Sequence, residues 1–377
     1  MRSSQKQAYL VLTTINLPRI IHDYWLNLKK YGHEKEIGVI IIGDLKSPNE
    51  ESFAITEELH KKGFDVEYFD IKAQEQWLKQ FPLLKRTIPY NNDSRRNVGF
   101  LMALQRGCRF LISIDDDSFP TNQDFYQLHA IVGRTKKLPV ISSSNGWFNP
   151  CSMLTNNREQ YIYARGFPYN KRNQKVVLTK QHKKIHIGVN AGLWLNEPDV
   201  DAITRLALPV KITGLKQKQI ALAKNCFAPI NTQNTALVYD LIPAFYFVLM
   251  EGTINHLPLA RFGDIWTGWF LKKIADHLGY YVSFGKPLTD HRRNKHDLFN
   301  DLYIELTPLK HNDAFVELIQ LITPKGKTTI DVYSDISKKL YDEIQKNNTF
   351  NGEFKKYSQT LYEHQQIWLE TCAKIIS

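Results

Sequence analysis

The chain contains few cysteines, and their spacing excludes the common cysteine-based sites. The four cysteines (Cys108, Cys151, Cys226 and Cys372) lie far apart in the sequence, and none belongs to a CxxC motif. This spacing argues against a structural zinc site and against a disulfide framework. It favours free thiols in a reducing compartment.

Long hydrophobic runs are also missing. The first residues, MRSSQKQAYLVLTT, lack the apolar run of a signal peptide. The longest apolar stretch, Ala236–Met250, is too short to span a bilayer and is interrupted by Asp240 and Pro243. We therefore expect a soluble, cytoplasmic protein without an integral membrane segment.

The chain has ample apolar residues for a core and an excess of positive charge. Of its 377 residues 43% are hydrophobic, and the net charge is +11. Cations crowd two segments, Arg165–Lys184 and Arg292–Lys295. Neither segment has an RNA-recognition pattern of aromatics or a helix-turn-helix pattern, so we expect no nucleic-acid partner. The first segment is either a solvated face or an anion-binding surface, and the second is expected to anchor a diphosphate.

The first 120 residues alternate between strand and helix patterns. This alternation predicts an α/β domain with a largely parallel sheet. Strands are predicted at Ala8–Thr14, Ile37–Ile42, Val66–Phe69 and Arg109–Ile114. Helices are predicted after Pro18, at Glu51–Lys62 before Gly63, and at Asn97–Arg106 before Gly107.

Polar residues follow the carboxyl ends of these strands. In open α/β sheets ligands bind beyond those ends. Thr14, Asn16, Asp44 and the triplet Asp115–Asp117 are therefore expected to meet at one edge of the sheet. We predict that Thr14, Asn16 and Asp44 hold the base and ribose of a nucleotide.

The triplet in SIDDDSF (Ser113–Phe119) is the strongest candidate for a metal site. Consecutive acids after an apolar strand are costly unless a cation or hydrogen-bond donors neutralise them. Strand alternation predicts that Asp115 and Asp117 share one direction while Asp116 faces away. Two such carboxylates suit Mg²⁺ or Mn²⁺, which would bridge to a substrate diphosphate. The alternative is an acidic surface turn or a helix N-cap.

The motif SRRNVG (Ser94–Gly99) begins a predicted helix and carries two arginines. Positive charge and donors at a helix start favour an anionic ligand. We predict that Arg95 and Asn97 help to clamp the nucleotide. The alternative is that the arginines are solvated.

Two later motifs supply further candidates. Asp264 in RFGDIWTGW is either a general base or anchor for an acceptor hydroxyl, or the N-cap of the helix Ile265–His277. In DHRRNKH (Asp290–His296), His291 would be a third metal ligand, and Arg292 and Arg293 would bind phosphate. The alternative for His291 is simple exposure.

The remaining sequence suggests how the chain is divided. Residues 1–120 are predicted to form the donor-binding half of a catalytic domain, and residues 121–308 its acceptor half. After Pro308 the pattern turns helical, so residues 309–377 are predicted to form a helical extension that packs on the main domain. Apolar residues recur there at helical spacing: Phe354, Tyr357, Leu361, Trp368 and Cys372.

These motifs resemble two related groups of GT-A-type glycosyltransferase proteins. The resemblance to the plant reversibly glycosylated polypeptides, which act as UDP-arabinopyranose mutases, lies in IDDDSF, ARGFPY (164–169), GLWLNEPDVDA (192–202) and DIWTGWFLKKIADHLG (264–279). The resemblance to STELLO-like glycosyltransferase proteins lies in TTIN (13–16), PYNNDSRRNVGFLMALQRG (89–107), PDVDAITRL (198–206) and FAPINTQNT (227–235). The blocks keep one order along about residues 8–300.

The resemblance implies a GT-A, Rossmann-like nucleotide-sugar-binding fold with the triplet as its DxD-type motif. In the mutases the arginine that matches Arg165 becomes reversibly glycosylated. From its chemistry a guanidinium is a poor nucleophile, so a role of Arg165 in binding diphosphate or positioning the sugar is an equal alternative to its glycosylation. The mutases also carry two adjacent acids before their tryptophan, whereas this chain has Gly263 and then Asp264.

We therefore predict a metal-dependent glycosyltransferase that uses a nucleotide-diphosphate sugar, with UDP as the expected nucleotide. Asp115, Asp116, Arg292 and Arg293 would contact the donor, and Asp264 and Arg165 would be catalytic. The nearest alternative is a UDP-sugar pyranose/furanose mutase with self-glycosylation at Arg165, and a further one is a non-catalytic scaffold. The sequence leaves open the sugar, the glycan or other hydroxyl acceptor, and homo-oligomerisation.

Overall fold

A computed structural model describes residues 6–294 and 297–377, so Lys295 and His296 of the second basic segment lie outside the described residues. Its strands are β1 (Ala8–Thr13), β2 (Ile37–Ile42), β3 (Val66–Phe69), β4 (Phe110–Asp115), β5 (Ser118–Pro120), β6 (Thr135–Ser143), β7 (Leu154–Asn156), β8 (Leu178–Asn196), β9 (Ile212–Leu215), β10 (Ile220–Leu222), β11 (Asn234–Val238), β12 (Thr253–Ile254), β13 (Leu257–Pro258) and β14 (Tyr281–His291). Its helices are α1 (Ile20–Tyr31), α2 (Asn49–Lys61), α3 (Ile71–Leu78), α4 (Pro82–Arg86), α5 (Arg96–Arg106), α6 (Phe125–His129), α7 (Ala202–Ala207), α8 (Gly263–His277), α9 (Leu298–Leu321), α10 (Thr329–Lys346) and α11 (Gly352–Ile376). Short 3₁₀ turns occupy Asp93–Arg95, Pro150–Met153, Tyr169–Lys171 and Tyr239–Phe245.

Strands β3, β2, β1 and β4 run parallel in that order and form one side of the main sheet. The apolar residues of β1, β2 and β4 are buried on both faces, as expected for parallel strands covered by helices. Helix α5 approaches this sheet closely because Gly99 lacks a side chain: a Cβ there would lie 2.6 Å from Val11 and 3.0 Å from Ile42. The strands and helices predicted for this region are confirmed, with ends that differ by one or two residues.

The other side of the main sheet is mixed. The order continues from β4 through β11, β8, β6, β10 and β14 to β5, and β11 is antiparallel to β4 and β8. Strand β14 is parallel to β8 and antiparallel to β5, and His291 lies opposite Ser118. This pairing carries the end of β14 to the residues that directly follow the aspartate triplet. The predicted α/β class with a mixed sheet is confirmed.

The C-terminal helices pack on the main domain through aromatic residues. The rings of Trp266 on α8 and Phe315 on α9 stack with centroids 3.9 Å apart. Trp368 on α11 is fully buried, and its indole N–H donates to the Pro243 carbonyl (2.8 Å). The predicted helical extension is therefore confirmed as packed structure. Helix α9 begins at Leu298 and runs through Pro308, so the chain turns helical earlier than the sequence pattern indicated.

The length and composition of the helices are relevant to the prediction that the chain has no integral membrane segment. Within residues 6–294 and 297–377, no helix combines the length and the apolar composition needed to cross a bilayer. The location in the cytoplasm and the division at residue 308 stay predictions.

Candidate functional site

A cavity of about 460 Å³ lies at the carboxyl ends of β1, β2 and β4, closed on the opposite side by the end of β14 and the start of α8. Most of the residues predicted for the site line it. These are Thr14, Asn16, Asp44, Asp115, Asp116, Asp117, Arg165, Asp264, His291 and Arg293. The structure thus brings together side chains from both halves of the predicted catalytic domain.

The aspartate triplet spreads its carboxylates around this cavity. Strand β4 ends at Asp115, and Asp116 and Asp117 form a turn, so strand alternation does not continue through the triplet. Asp116 accepts hydrogen bonds from Thr14 Oγ1 (2.5 Å) and Asn16 Nδ2 (3.1 Å). The prediction that Asp116 faces away was therefore wrong: it lines the cavity and links β4 to the residues after β1.

Asp117 forms a close pair with His291. The distance from Asp117 Oδ2 to His291 Nε2 is 3.4 Å, and Asp117 Oδ1 is buried without a hydrogen-bond partner among the described residues. Burial raises the pKa of Asp117, but the bond to His291 and its charge lower it more, so the net pKa is below its usual value. For His291 the effect of burial is to lower the pKa. The hydrogen bond to Asp117 and the charge of Asp117 raise the pKa more than burial lowers it, so the net pKa of His291 is raised.

The second nitrogen of His291 fixes the orientation of the ring. Nδ1 lies 2.6 Å from the Glu197 carbonyl oxygen, which can only accept, so Nδ1 carries the hydrogen. In the neutral ring Nε2 then presents a lone pair towards the Asp117 carboxylate. Two acceptors in that arrangement need a proton or a metal cation between them, and a backbone carbonyl bonded to the far nitrogen is typical of metal-binding histidines.

These observations fit a divalent cation held by few protein ligands. Asp117 offers a buried oxygen that has no partner in residues 6–294 and 297–377, and His291 offers a correctly oriented nitrogen. Within the part of the chain that is described, no three His, Cys, Asp or Glu side chains converge as a ready-made ligand set. Mg²⁺ and similar ions are commonly held by one or two carboxylates, with substrate phosphates and water completing the shell.

Arg96 neutralises Asp115 and was not among the predicted site residues. Its Nη2 donates to Asp115 Oδ1 at 2.6 Å, and its Nη1 donates to Thr232 Oγ1 at 2.9 Å. Burial raises the pKa of Asp115 to about 6, although Arg96 opposes that shift. The sequence held one signal for Arg96, its position three residues before Gly99, because residues three apart share one face of a helix. In the structure Gly99 packs on the sheet, so this face of α5 is turned towards the sheet.

Arg165 lies between two carboxylates at the rear of the cavity. Its guanidinium donates to Asp199 Oδ1 (2.7 Å) and to both oxygens of Asp264 (2.6 and 3.0 Å). It also bonds to the Arg261 carbonyl. Burial lowers the pKa of Arg165, but the two carboxylates raise it more, and the net pKa is well above its usual value. The guanidinium is therefore held as a cation.

Asp264 is not the N-cap of its helix. Phe262 occupies the N-cap position, and Asp264 lies within the first turn of α8 with its side chain directed to Arg165. The capping alternative was therefore wrong. Asp199, the other partner of Arg165, was missed because nothing in PDVDA distinguishes it from a surface or capping acid until β8 and the Arg165 loop are brought together.

Three of the predicted nucleotide-binding residues lie outside the cavity. Arg95 is fully buried and donates to Gln74 Oε1 (2.8 and 3.0 Å). Asn97 bonds to the backbone N–H and carbonyl of Phe247, a cavity residue. The Arg292 side chain is 60% exposed and lies over the Phe119 ring, although its backbone N–H donates to the Asp117 carbonyl (2.8 Å). These residues support the site rather than line it.

Asp44 and Thr14 occupy the other end of the cavity. Asp44 is buried and accepts from the backbone N–H groups of Leu45 (2.8 Å) and Asn92 (3.2 Å). Ser47 Oγ donates to the Thr14 carbonyl at 2.8 Å and so joins the ends of β1 and β2. Thr14 and Asp44 therefore line the same end of the cavity, and their role in holding base and ribose stays a prediction.

A known family has a sequence pattern that extends over nearly all of this fold. The model of the reversibly glycosylated polypeptide family matches residues 25–373. The chain belongs to the reversibly glycosylated polypeptide family. The predicted resemblance to that family is thereby confirmed, while the resemblance to STELLO-like proteins stays a prediction.

Curated relatives are about a quarter identical, over the aligned residues, to this member of the reversibly glycosylated polypeptide family. Probable UDP-arabinopyranose mutase 1 of Pisum sativum is 28% identical over 75% of this chain and 73% of its own length. UDP-arabinopyranose mutase 3 of Arabidopsis thaliana is 26% identical over 77% of this chain and 74% of its own. Glucosyl-3-phosphoglycerate synthase from Mycobacterium tuberculosis, solved with Mn²⁺ and UDP-glucose, has a TM-score of 0.38 at 10% identity, over 82% of this chain and 80% of that one. A likeness that low carries no functional argument.

This reversibly glycosylated polypeptide lacks the first acid of the pair that the sequence resemblance led us to expect before Trp266. Gly263 precedes Asp264 at the start of α8. A Cβ on Gly263 would lie 2.4 Å from the Val248 carbonyl oxygen and 2.8 Å from the Phe247 ring. An acid at this position would therefore require the neighbouring backbone to move.

Proposed function

We propose that this protein cleaves the bond between a sugar and a nucleoside diphosphate and transfers the sugar to an acceptor hydroxyl. The observation that carries the proposal is a buried oxygen of Asp117, beside His291, that has no hydrogen-bond partner among the described residues, in a cavity that also contains Arg293 and Arg165. Such a combination of acids and cations suits a ligand that brings both a divalent cation and phosphate oxygens.

UDP is the nucleotide we propose. The relatives named UDP-arabinopyranose mutases give this nucleotide in their names. In this chain Asp44 would bind the base or ribose. Thr14 and Asn16 would position Asp116 for the same part of the donor, since both already donate to its carboxylate.

Asp117 and His291 would hold the cation, which we propose to be Mn²⁺ or Mg²⁺. Asp115, the third predicted ligand, would reach the same ion after a change of side-chain rotamer, since these three side chains do not converge among the described residues. When bound, such an ion would supply charge to stabilise the departing diphosphate. Arg96 would keep Asp115 ionised near neutral pH, because its positive charge opposes the effect of burial. Arg293 would add a second positive charge from the β14 side of the cavity.

In the transfer step the acceptor oxygen bonds to the anomeric carbon, and the carbon–oxygen bond to the diphosphate breaks. The electron pair of that bond stays on the diphosphate, and the acceptor proton passes to Asp264. The Arg165 guanidinium holds Asp264 in place and would lie near the sugar. In this role Arg165 is a positioning group and not a nucleophile.

A UDP-sugar mutase is the second candidate, and family membership favours it. The bond between the anomeric carbon and the diphosphate would break, the sugar ring would close again through a different sugar hydroxyl, and the same anomeric carbon would bond to the diphosphate again, without an external acceptor. Self-glycosylation at Arg165 would need a neutral guanidinium nitrogen, and the Asp199 and Asp264 carboxylates oppose its deprotonation. This chain also has Gly263 where the resemblance to the mutases predicts the first of two adjacent acids. We therefore rank transfer first.

Product analysis tests the two candidates. The protein would be incubated with Mn²⁺ and either UDP-arabinopyranose or UDP-glucose, and the nucleotides separated by chromatography. Release of UDP that rises with added hydroxyl compounds supports transfer, whereas a UDP-arabinofuranose peak without acceptor supports the mutase. Absence of Mn²⁺-dependent UDP binding by calorimetry would contradict both and revive the non-catalytic scaffold.

Residues 1–120 would bind the donor, and residues 121–308 would bind the acceptor and complete the metal site. The acceptor would be a glycan or another molecule with a hydroxyl group. We propose that the reaction takes place in the cytoplasm, without a nucleic-acid partner, and a homo-oligomer is compatible with this function.

A further inference from the structure

A second cavity of about 340 Å³ adjoins the first one. It lies between the end of β8, helix α7 with the loop that follows it, and the start of α9. Arg293 and Asn294 line both cavities. Between the cavities runs the segment from Glu197, whose carbonyl accepts from His291, to Asp199, which holds Arg165.

The charge of the second cavity is positive. Arg205, Lys211 and Arg293 line it, against one carboxylate, Glu197. Arg205 donates to Glu197 Oε2 at 2.5 Å, but its Nε is buried without a partner among the described residues. Its two terminal nitrogens already have acceptors, Glu197 and the Pro198 carbonyl, so a bound anion would supply the acceptor that Arg205 Nε lacks among the described residues.

The rest of the cavity wall is apolar. Val200, Leu208 and Val210 lie beside the cationic groups. A wall of this kind, with a few convergent polar groups, is typical of a site for a small organic molecule rather than for a free inorganic ion.

We infer that the second cavity binds the acceptor, and that this acceptor is a small molecule with an apolar body and a phosphate or carboxylate group. The inference rests on the proposed transfer function. The anionic group would lie among Arg205, Lys211 and Arg293, and the hydroxyl would reach the donor past Arg293 and Asn294. The shared lining residues place the two ligands next to each other.

Binding of simple probes to the UDP-loaded protein tests this inference. The first cavity would be saturated with UDP and Mn²⁺, and calorimetry would measure the binding of phenyl phosphate, benzoate and benzyl alcohol. At least one of the two anions is expected to bind about tenfold or more tightly than the neutral alcohol. Comparison of the two anions shows whether phosphate or carboxylate is preferred.

Two variants locate the bound probe. Lys211→Glu is expected to weaken the binding of the anions about tenfold, and Leu208→Trp to abolish it by filling the cavity. UDP binding is expected to stay unchanged in both. Lys218→Glu is the matched control, because it makes the same charge change at an exposed position outside both cavities.

Three results would overturn the inference: no binding of either anion, equal losses in Lys211→Glu and Lys218→Glu, or full binding in Leu208→Trp. Failure of the proposed function is separate, since it would appear as absence of UDP binding in the first titration. The same probes and variants would then be measured without UDP.

Discussion

The Asp264 carboxylate accepts two hydrogen bonds from the Arg165 guanidinium, at 2.6 and 3.0 Å, in the wall of the candidate active site. A two-point ion pair of this kind fixes the carboxylate in one orientation. It also holds the arginine as a cation. The two residues therefore have separate roles in the proposed reaction, in which Asp264 contacts the acceptor and Arg165 positions Asp264.

Asp264→Asn is expected to lower kcat for sugar transfer by a factor of about 10² to 10⁴, the range typical of general acid–base groups. The KM for the donor should change little, because Asp264 is not placed at the nucleotide. Steady-state kinetics with UDP-glucose checks this split. An equal rise in KM with an unchanged kcat would show that Asp264 serves donor binding instead.

Asp117→Asn should remove most of the metal-dependent activity. The variant loses the negative charge that pairs with His291 and one of the two carboxylate oxygens available to the cation, so a loss of about 10² or more in turnover is expected. Turnover of the unchanged protein should vanish in EDTA and return with Mn²⁺. Circular dichroism verifies that the variant folds.

Asp290→Asn is the control for this experiment, because Asp290 lies next to His291 on β14 but outside the cavity. Its activity should match that of the unchanged protein. Undiminished turnover in Asp117→Asn would remove the metal proposal.

Arg95 and Arg96 are adjacent in the sequence but act on different properties of the protein. Arg96→Met should raise the pKa of Asp115 above its value of about 6, because the positive charge that opposes burial is lost. At pH 7 less of Asp115 would then be ionised, and the Kd for UDP with Mn²⁺ should rise about tenfold. Calorimetry between pH 6 and 8 measures this.

Arg95→Met should act on stability instead. It leaves the buried oxygen of Gln74 without its donor, which costs about 1–3 kcal/mol of unfolding free energy. Binding of UDP by the folded fraction should be unchanged. If Arg95→Met weakened UDP binding and Arg96→Met lowered only the unfolding free energy, Arg95 would be the residue that binds the nucleotide.

Two buried histidines make stability depend on pH. Burial lowers the pKa of both His129 and His311 to about 4. Between about pH 6.5 and pH 4 the unfolded chain binds protons at these residues and the folded chain does not, so stability falls as pH falls. Each histidine should contribute a loss of about 3 kcal/mol over that window.

Urea unfolding of His129→Gln at several pH values tests the effect. The variant starts less stable, because it loses the bond to Asn234, but its stability should fall less steeply between pH 6.5 and 4. His182→Gln, at an exposed position, should keep the original slope. Identical slopes in all three proteins would contradict the assignment.

The C-terminal helix is expected to be part of the cooperative fold. Trp368→Ala removes a fully buried indole and its bond to Pro243, which should lower the unfolding free energy by about 3–5 kcal/mol. Leu321→Ala, at a side chain that is 73% exposed, should change it by less than about 0.5 kcal/mol. Denaturant unfolding compares the two.

The parallel half of the fold could be predicted because its signals are local. Continuous apolar runs such as Ile37–Ile42 are long enough for a strand and end at turn residues. The position of Asp44 and the triplet then followed from the rule that parallel strands share one carboxyl edge. The acid in RFGDIWTGW indicated Asp264, and the family resemblance added Arg165. The sequence did not show that these two residues contact each other.

The contacts that the sequence did not predict depend on segments that are far apart in the chain and meet only in the fold. Asp199 contacts Arg165 only because β8 and the Arg165 loop meet, and no spacing in the sequence reports that contact. Arg95 and Arg96 are adjacent, and the helix rotation that separates their environments was decided by the close approach of Gly99 to the sheet. The turn at Asp116 likewise begins where β4 stops, which the uniform acid triplet conceals.

The three-residue strand β5 has a consequence for how the molecule could be divided. It pairs with β14, and the Arg292 N–H next to that strand bonds to Asp117, so the triplet is fastened to a distant part of the chain. Fragments separated just after Pro120 would each carry half of the ligand cavity. Binding of UDP by a mixture of the two fragments, but by neither fragment alone, would therefore show that they reassemble. The protein could then serve in a fragment-complementation assay.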